Sequence, residues 1–242
     1  MCVVCDIQGR GGRRGFLRQA GAAALGAVWA ASLPGVAAAS GGPTTSVTSN
    51  EALARLKLGN IRYLKNPEVC AMQLAQQRGQ TSKGQTPWAT IVSCADSRVT
   101  PELLFGGVGI GELFVARNAG NMVDTATMGT IEYGASALGI PLIVVLGHQK
   151  CGAVAAACEV VEKGTKFPSY IAPMVEAIVP AARAVVNKPG DFVENVIRES
   201  AVRTARKIAT DSPIVADLVA KKKVQVIAAR YDLQEGRVDF FG

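Results

Sequence analysis

Two short segments hold the residues best suited to chemistry. Cys94-Ala95-Asp96-Ser97-Arg98 places a thiol, a carboxylate and a guanidinium within five positions. Gly147-His148-Gln149-Lys150-Cys151-Gly152 puts the chain's single histidine three residues before a second thiol. Two thiolates and an imidazole are good ligands for a zinc ion. With three protein ligands, the fourth tetrahedral position stays open, as in a catalytic site. His148 and Cys151 are close enough for one strand-to-helix turn to supply both, and Cys94 would close the site from a neighbouring strand. The same residues allow other uses. His148 could activate a cysteine as a reactive thiol, which leaves the other cysteine and the Asp-Arg pair idle. The residues could also be purely structural, since a lone cysteine after a strand is usually a small buried hydrophobe. An exposed Asp96–Arg98 pair is worth only ~0–1 kcal/mol. Beside a metal, Arg98 would hold Asp96 ionised and oriented towards a metal-bound water. Asp96 could instead swing onto the metal and fill the open position.

Both segments follow apolar runs that read as strands. Ala89 to Ser93 precedes Cys94, and Pro141 to Gly147 is apolar throughout, as a central parallel strand should be. Glu112 to Ala116 is a further candidate, and Val224 to Ala229 reads as the last strand, ahead of a Gly236 turn. Helices are expected between them. The first runs from Ser49 to a stop at Asn66-Pro67, with Leu53, Leu56, Ile61 and Leu64 at helical spacing. Others cover the Met72–Arg78 region, Ala126–Leu138, Ala153–Val161, Glu194–Ala209 and Val215–Lys222. Tyr170 to Val186 is apolar but broken by Pro173 and Pro180. Strands alternating with helices imply an α/β fold, a mostly parallel sheet flanked by helices. Ligands of such sheets collect at the carboxyl ends of strands, and both motifs occupy that edge.

Composition narrows the class. Of 242 residues, 49% are hydrophobic and 19% charged, enough apolar material for a core, which excludes wholesale disorder. The net charge of +7 suggests nucleic acid at first sight. The first 39 residues carry four arginines against one aspartate, which leaves 22 basic and 18 acidic residues, or +4. That is ordinary, and no nucleic-acid partner is expected. Residues 1–39 read as an export signal: Arg13-Arg14-Gly15-Phe16-Leu17-Arg18, an apolar run from Ala20, then Ala37-Ala38-Ala39. The paired arginines fit a twin-arginine route, cleavage after Ala39, a periplasmic or extracytoplasmic location and no membrane anchor afterwards. Residues 40–242 then form a single domain. Cys2 and Cys5 fall in the disposable segment, and Cys70 and Cys158 either pair or stay buried and reduced.

The motifs together resemble the β-class carbonic anhydrases across essentially the whole mature chain. The resemblance rests on Cys-Ala-Asp-Ser-Arg-Val from Cys94, Gly-Glu-Leu-Phe-Val-Ala-Arg-Asn from Gly111 and Ile-Glu-Tyr-Gly from Ile131. Gly-His-Gln-Lys-Cys-Gly-Ala from Gly147 and Ala-Arg-Tyr-Asp-Leu ahead of Gly236 complete it. It implies a β-class carbonic anhydrase fold, one Zn²⁺ per chain on Cys94, His148 and Cys151, and a homodimer or multiple of dimers. It implies reversible hydration of carbon dioxide to bicarbonate and a proton by a zinc-bound hydroxide. Asp96 and Arg98 become the catalytic dyad, with Asp96 a fourth metal ligand in a closed form. Gln85 would hydrogen-bond bicarbonate across the dimer interface, and Phe114 and Tyr133 would wall the carbon dioxide. Some members bind bicarbonate at a second site through a Trp three residues before the first zinc cysteine. That position is Ile91 here, although Arg117 and Tyr133 match other parts of the region. Ala119-Gly120 stands where a bulkier pair is more usual. Two alternatives stay open: hydrolysis of carbon disulfide or carbonyl sulfide on the same site, and a non-catalytic zinc protein of the same fold.

Overall fold

The computed structural model describes residues 44–65 and 74–241. The export segment, Cys70 and the start of the expected Met72 helix lie outside the described residues. Helix α1 (Ser49–Lys65) and α2 (Leu74–Thr81) lead into strand β1 (Ala89–Cys94). A short α3 (Pro101–Leu104), β2 (Leu113–Asn118), a single 3₁₀ turn (Ala119–Asn121) and α4 (Thr125–Ser136) follow. Then come β3 (Leu142–His148), α5 (Gly152–Lys163), α6 (Ile171–Glu176), α7 (Val179–Val185), α8 (Phe192–Asp211) and α9 (Pro213–Ala220). The described chain ends in β4 (Gln225–Tyr231) and β5 (Val238–Phe241). No helix among these is long and apolar enough to cross a membrane.

The five strands form one sheet in the order β2-β1-β3-β4-β5. The first four are parallel, and β5 pairs antiparallel with β4. Every residue of β1 and β3 is buried, which explains why both read as unbroken apolar runs. Their side chains alternate between two cores. Ile91, Val144, Leu146 and Ala229 face α1 and α3, with Leu56 and Phe105. Val92, Ile143, Val145 and Ala228 face α4, α8 and α9, with Ile131, Ile208 and Val215. A third cluster at the carboxyl edge packs α5, α7 and α8 around Cys94 and Cys151.

The structure departs from the sequence expectations in three places. The buried face of α1 is Ala52, Leu56, Gly59 and Asn60, while Ile61 and Leu64 are exposed. The reason is a close backbone approach. A Cβ on Gly59 would lie 2.0 Å from the Phe105 carbonyl oxygen. Beside it, the buried Asn60 donates Nδ2–H to the carbonyls of Leu104 (3.1 Å) and Gly236 (2.9 Å), and its Oδ1 accepts from Val238 N–H (2.9 Å). Leu56 is fully buried in the core, and beyond it hydrogen bonds and close backbone contact dock this helix in place of Ile61 and Leu64. Second, α2 starts at Leu74 and continues to Thr81, three residues past Arg78. Third, β4 is not the last strand. Gly236 (φ 75°) turns the chain back, and β5 covers the exposed edge of β4.

Candidate metal centre

Successive strands leave β1 and β3 in opposite directions. The chain goes from β1 to β2 on one side, and from β3 to β4 on the other. The crevice between their carboxyl ends is the topological switch point, where ligands of open α/β sheets bind. Cys94 is the last residue of β1 and His148 the last of β3. Lys150, at a positive φ of 55°, reverses the chain so that Cys151 caps the start of α5. Three donors therefore arrive at one point from two strand ends and one helix start.

The Sγ atoms of Cys94 and Cys151 lie 4.0 Å apart, and both thiols are free. With a ring nitrogen of His148, the two sulfurs make three donor atoms all within 4.8 Å of one another, on three buried residues. His148 Nδ1 lies 2.9 Å from the Gln149 carbonyl oxygen. A carbonyl only accepts, so Nδ1 carries the proton, and the lone pair sits on Nε2. That nitrogen is fully buried and makes no hydrogen bond. A buried acceptor without a partner is costly in a protein interior. Here the lone pair faces two thiols. Tetrahedral zinc with bonds of ~2.3 Å to sulfur needs the two sulfurs about 3.8 Å apart. The donor set, the spacing and the orphaned nitrogen all fit such an ion.

The two thiols are linked. Cys151 donating to Cys94 Sγ holds the Cys94 thiol well below its ordinary value, against the effect of burial and with help from the Gly120 N–H. The shared hydrogen bond and burial push Cys151 up. Gly120 N–H donates to Cys94 Sγ at 3.3 Å.

Asp96 and Arg98 form the other half of the site. Arg98 Nε and Nη2 donate to Asp96 Oδ1 (2.9 Å) and Oδ2 (2.6 Å), and Arg98 backbone N–H adds a bond to Oδ1 (2.9 Å). The Arg98 guanidinium holds the Asp96 carboxyl far below the usual carboxylate range, with burial opposing it. Oδ2 lies 3.9 Å from His148 Nε2. Asp96 is not one of the three clustered donors, because both its oxygens are held by Arg98.

Arg117 is a site residue whose role the sequence does not reveal. Its Nε donates to the Cys94 carbonyl (3.0 Å) and its Nη2 to the Asp96 carbonyl (2.7 Å). Ala95 N–H donates to the Asn118 carbonyl (2.9 Å). The end of β2 thus clamps the turn that carries Cys94 and Asp96. The acceptors are backbone carbonyls, so residue types alone give little signal for these bonds.

Gln85, Phe114 and Tyr133 lie elsewhere in this chain. Phe114 is in register with Thr90, four residues before Cys94. At ~3.3 Å per residue that is about 13 Å back along the sheet. Its ring meets that of Tyr133 on α4, with centroids 6.2 Å apart. Gln85 is exposed, precedes β1, and lies beside Gly111 at the start of β2. The three gather towards the amino ends of β1 and β2, whereas the metal-type cluster is at the carboxyl ends.

The carbonic anhydrase family model matches residues 89–238, a span holding both motifs. The chain belongs to the carbonic anhydrase family. Membership makes it an enzyme of the lyase class. It is 35% identical to carbonic anhydrase 2 of Mycobacterium tuberculosis over 187 residues, 75% of this chain and 87% of that one. Among solved structures, the β-carbonic anhydrase CcaA superposes with a TM-score of 0.64 at 25% identity, covering 79% of this chain and 95% of its own. Tetrameric β-carbonic anhydrases from Sordaria macrospora share the fold, with a TM-score of 0.59 at 24% identity over 80% and 93% of the two chains. The carbonic anhydrase fold and the mostly parallel sheet therefore agree with the expectation from sequence. Cys158, which sequence left open, is a free buried thiol, and burial, with Glu162 and Asp191 nearby, pushes it up to about 11.

Proposed function

We propose that the chain catalyses reversible hydration of carbon dioxide to bicarbonate and a proton, with one zinc ion per chain on Cys94, His148 and Cys151. The observation that carries this reading is the buried, unpartnered Nε2 of His148 facing two thiols 4.0 Å apart. Bound there, zinc supplies a Lewis acid that lowers the pKa of a coordinated water from about 15.7 towards ~7. The two thiolates cancel the ion's formal charge. They make it a weaker acid than three imidazoles would, so hydration rises with pH.

The other residues orient and exclude. Asp96, kept ionised by Arg98, accepts a hydrogen bond from the attacking water and aims its lone pair at the carbon of the substrate. With both oxygens already bound to Arg98, it orients rather than stores a proton. His148 uses Nδ1 on the Gln149 carbonyl and Nε2 on the metal, so it is no proton shuttle. The proton leaves to buffer at the exposed rim formed by Ala95, Ser97 and Arg98. Gln85, Phe114 and Tyr133 serve the centre of a second copy. There Gln85 receives the developing negative oxygen and the two rings form an apolar slot.

Stopped-flow carbon dioxide hydration with metal analysis tests this. One zinc per chain and a rate rising with pH are expected, and Cys151→Ser should lose both zinc and activity. A zinc-free Cys151→Ser protein that hydrates carbon dioxide at the wild-type rate would refute the scheme.

A further inference from the structure

Gly120 occupies a place that no side chain fits. It has φ 78° and ψ 15° inside the 3₁₀ turn after β2, a left-handed conformation. A Cβ there would lie 2.6 Å from Ile178 Cδ1 and 3.1 Å from Ala153 Cβ. Ile178 and Ala153 pack in the same cluster as Cys94 and Cys151. The turn is also braced from its own side chains. Asn118 Nδ2 donates to the Met122 carbonyl (2.7 Å) and to Thr127 Oγ1 (3.2 Å). The Gly120 N–H is therefore held in advance, buried, at 3.3 Å from Cys94 Sγ.

A hydrogen bond to a thiolate is charge-assisted, and partners behind a metal ligand tune its basicity. We propose that Gly120 is a positioning residue of the metal centre, whose N–H withdraws charge from the Cys94 sulfur. The metal is left more electrophilic than it would be without that hydrogen bond. The inference rests on the metal reading above and adds a backbone group to it.

Cadmium-113 NMR of the full chain tests it without any substitution. Through-bond proton–cadmium correlations should link the metal to the Hβ protons of Cys94 and Cys151, and also to the Gly120 amide proton. Cysteine correlations without the Gly120 cross-peak overturn the inference and leave the metal site standing. Absence of the cysteine correlations overturns both. A second readout uses cobalt. Ile178→Val makes room for a Cβ, and Gly120→Ala on that background strains the turn and removes the bond. The thiolate-to-cobalt charge-transfer band of the double variant should move to lower energy than in Ile178→Val alone, because an unbonded thiolate is the better electron donor. Bands at the same energy contradict the proposal.

Discussion

A carboxylate with both oxygens engaged by one guanidinium is a poor base and a good orienting group. In the proposed reaction that makes Asp96 an orienting group, whose shape the amide of Asn can copy but whose charge it cannot. Asp96→Asn should keep one zinc per chain and lose about 10²-fold in kcat/KM, the usual effect of removing one preorganised electrostatic contact. Stopped-flow hydration with metal analysis on the same sample checks it, and full activity would contradict it. The three clustered donors were legible in the sequence because their side chains carry the chemistry at short spacing. The positions of Arg117 and Gly120 stood out, but what they do at the site did not. One acts on carbonyl oxygens and the other through its own N–H, and backbone bonds leave no pattern in residue types.

Elements bring these groups together, and the sequence announced most of them. β1 and β3 stood out because burial on both faces leaves only apolar residues. β5 was missed because it has four residues and is only partly buried. In α1 Leu56 is buried as its spacing implied, but Ile61 and Leu64 misled, since Gly59 and Asn60 fill the rest of the docked face. The end of β4 is held by a buried ion group. Arg230 Nε donates to Glu194 Oε2 (2.7 Å) on α8, and its Nη1 to Asp232 Oδ2 (3.0 Å). Tyr231, the next residue, lends its carbonyl to Gln149 N–H (2.9 Å), so this group also steadies the His148 turn. Burial raises the Asp232 carboxyl, but the Glu235 and Gln234 amides and Arg230 outweigh it, and the net shift is downward. A lowered folded-state value stabilises above the unfolded pKa of ~3.9 and is lost as pH falls through the folded one. Arg230→Met strands buried carboxylate and should cost about 3–5 kcal/mol at pH 7. In urea unfolding, that deficit should shrink below about pH 4, as Asp232 takes up its proton. A deficit equally large at pH 7 and pH 3 would show that packing, not charge, is what Arg230 supplies.

At the scale of the whole molecule, the proposed reaction draws on two groups of residues at opposite ends of the strands. Cys94, Asp96, His148 and Cys151 are at the carboxyl edge, and Phe114 is some 13 Å back, at about 3.3 Å per residue, with Gln85 and Tyr133 towards the same amino edge. The sequence showed the residues but not this separation, because distance along a sheet depends on register. If a second copy completes each centre, hydration per chain should fall on dilution in step with dissociation seen by size exclusion. A monomer of undiminished activity would contradict the shared site. Every role assigned above depends on two thiolates and one imidazole sharing an ion. X-ray absorption at the zinc edge of the purified full chain tests that most directly. Two sulfurs at ~2.3 Å and nitrogen or oxygen neighbours at ~2.0–2.2 Å are expected. A zinc shell without sulfur would contradict such a centre.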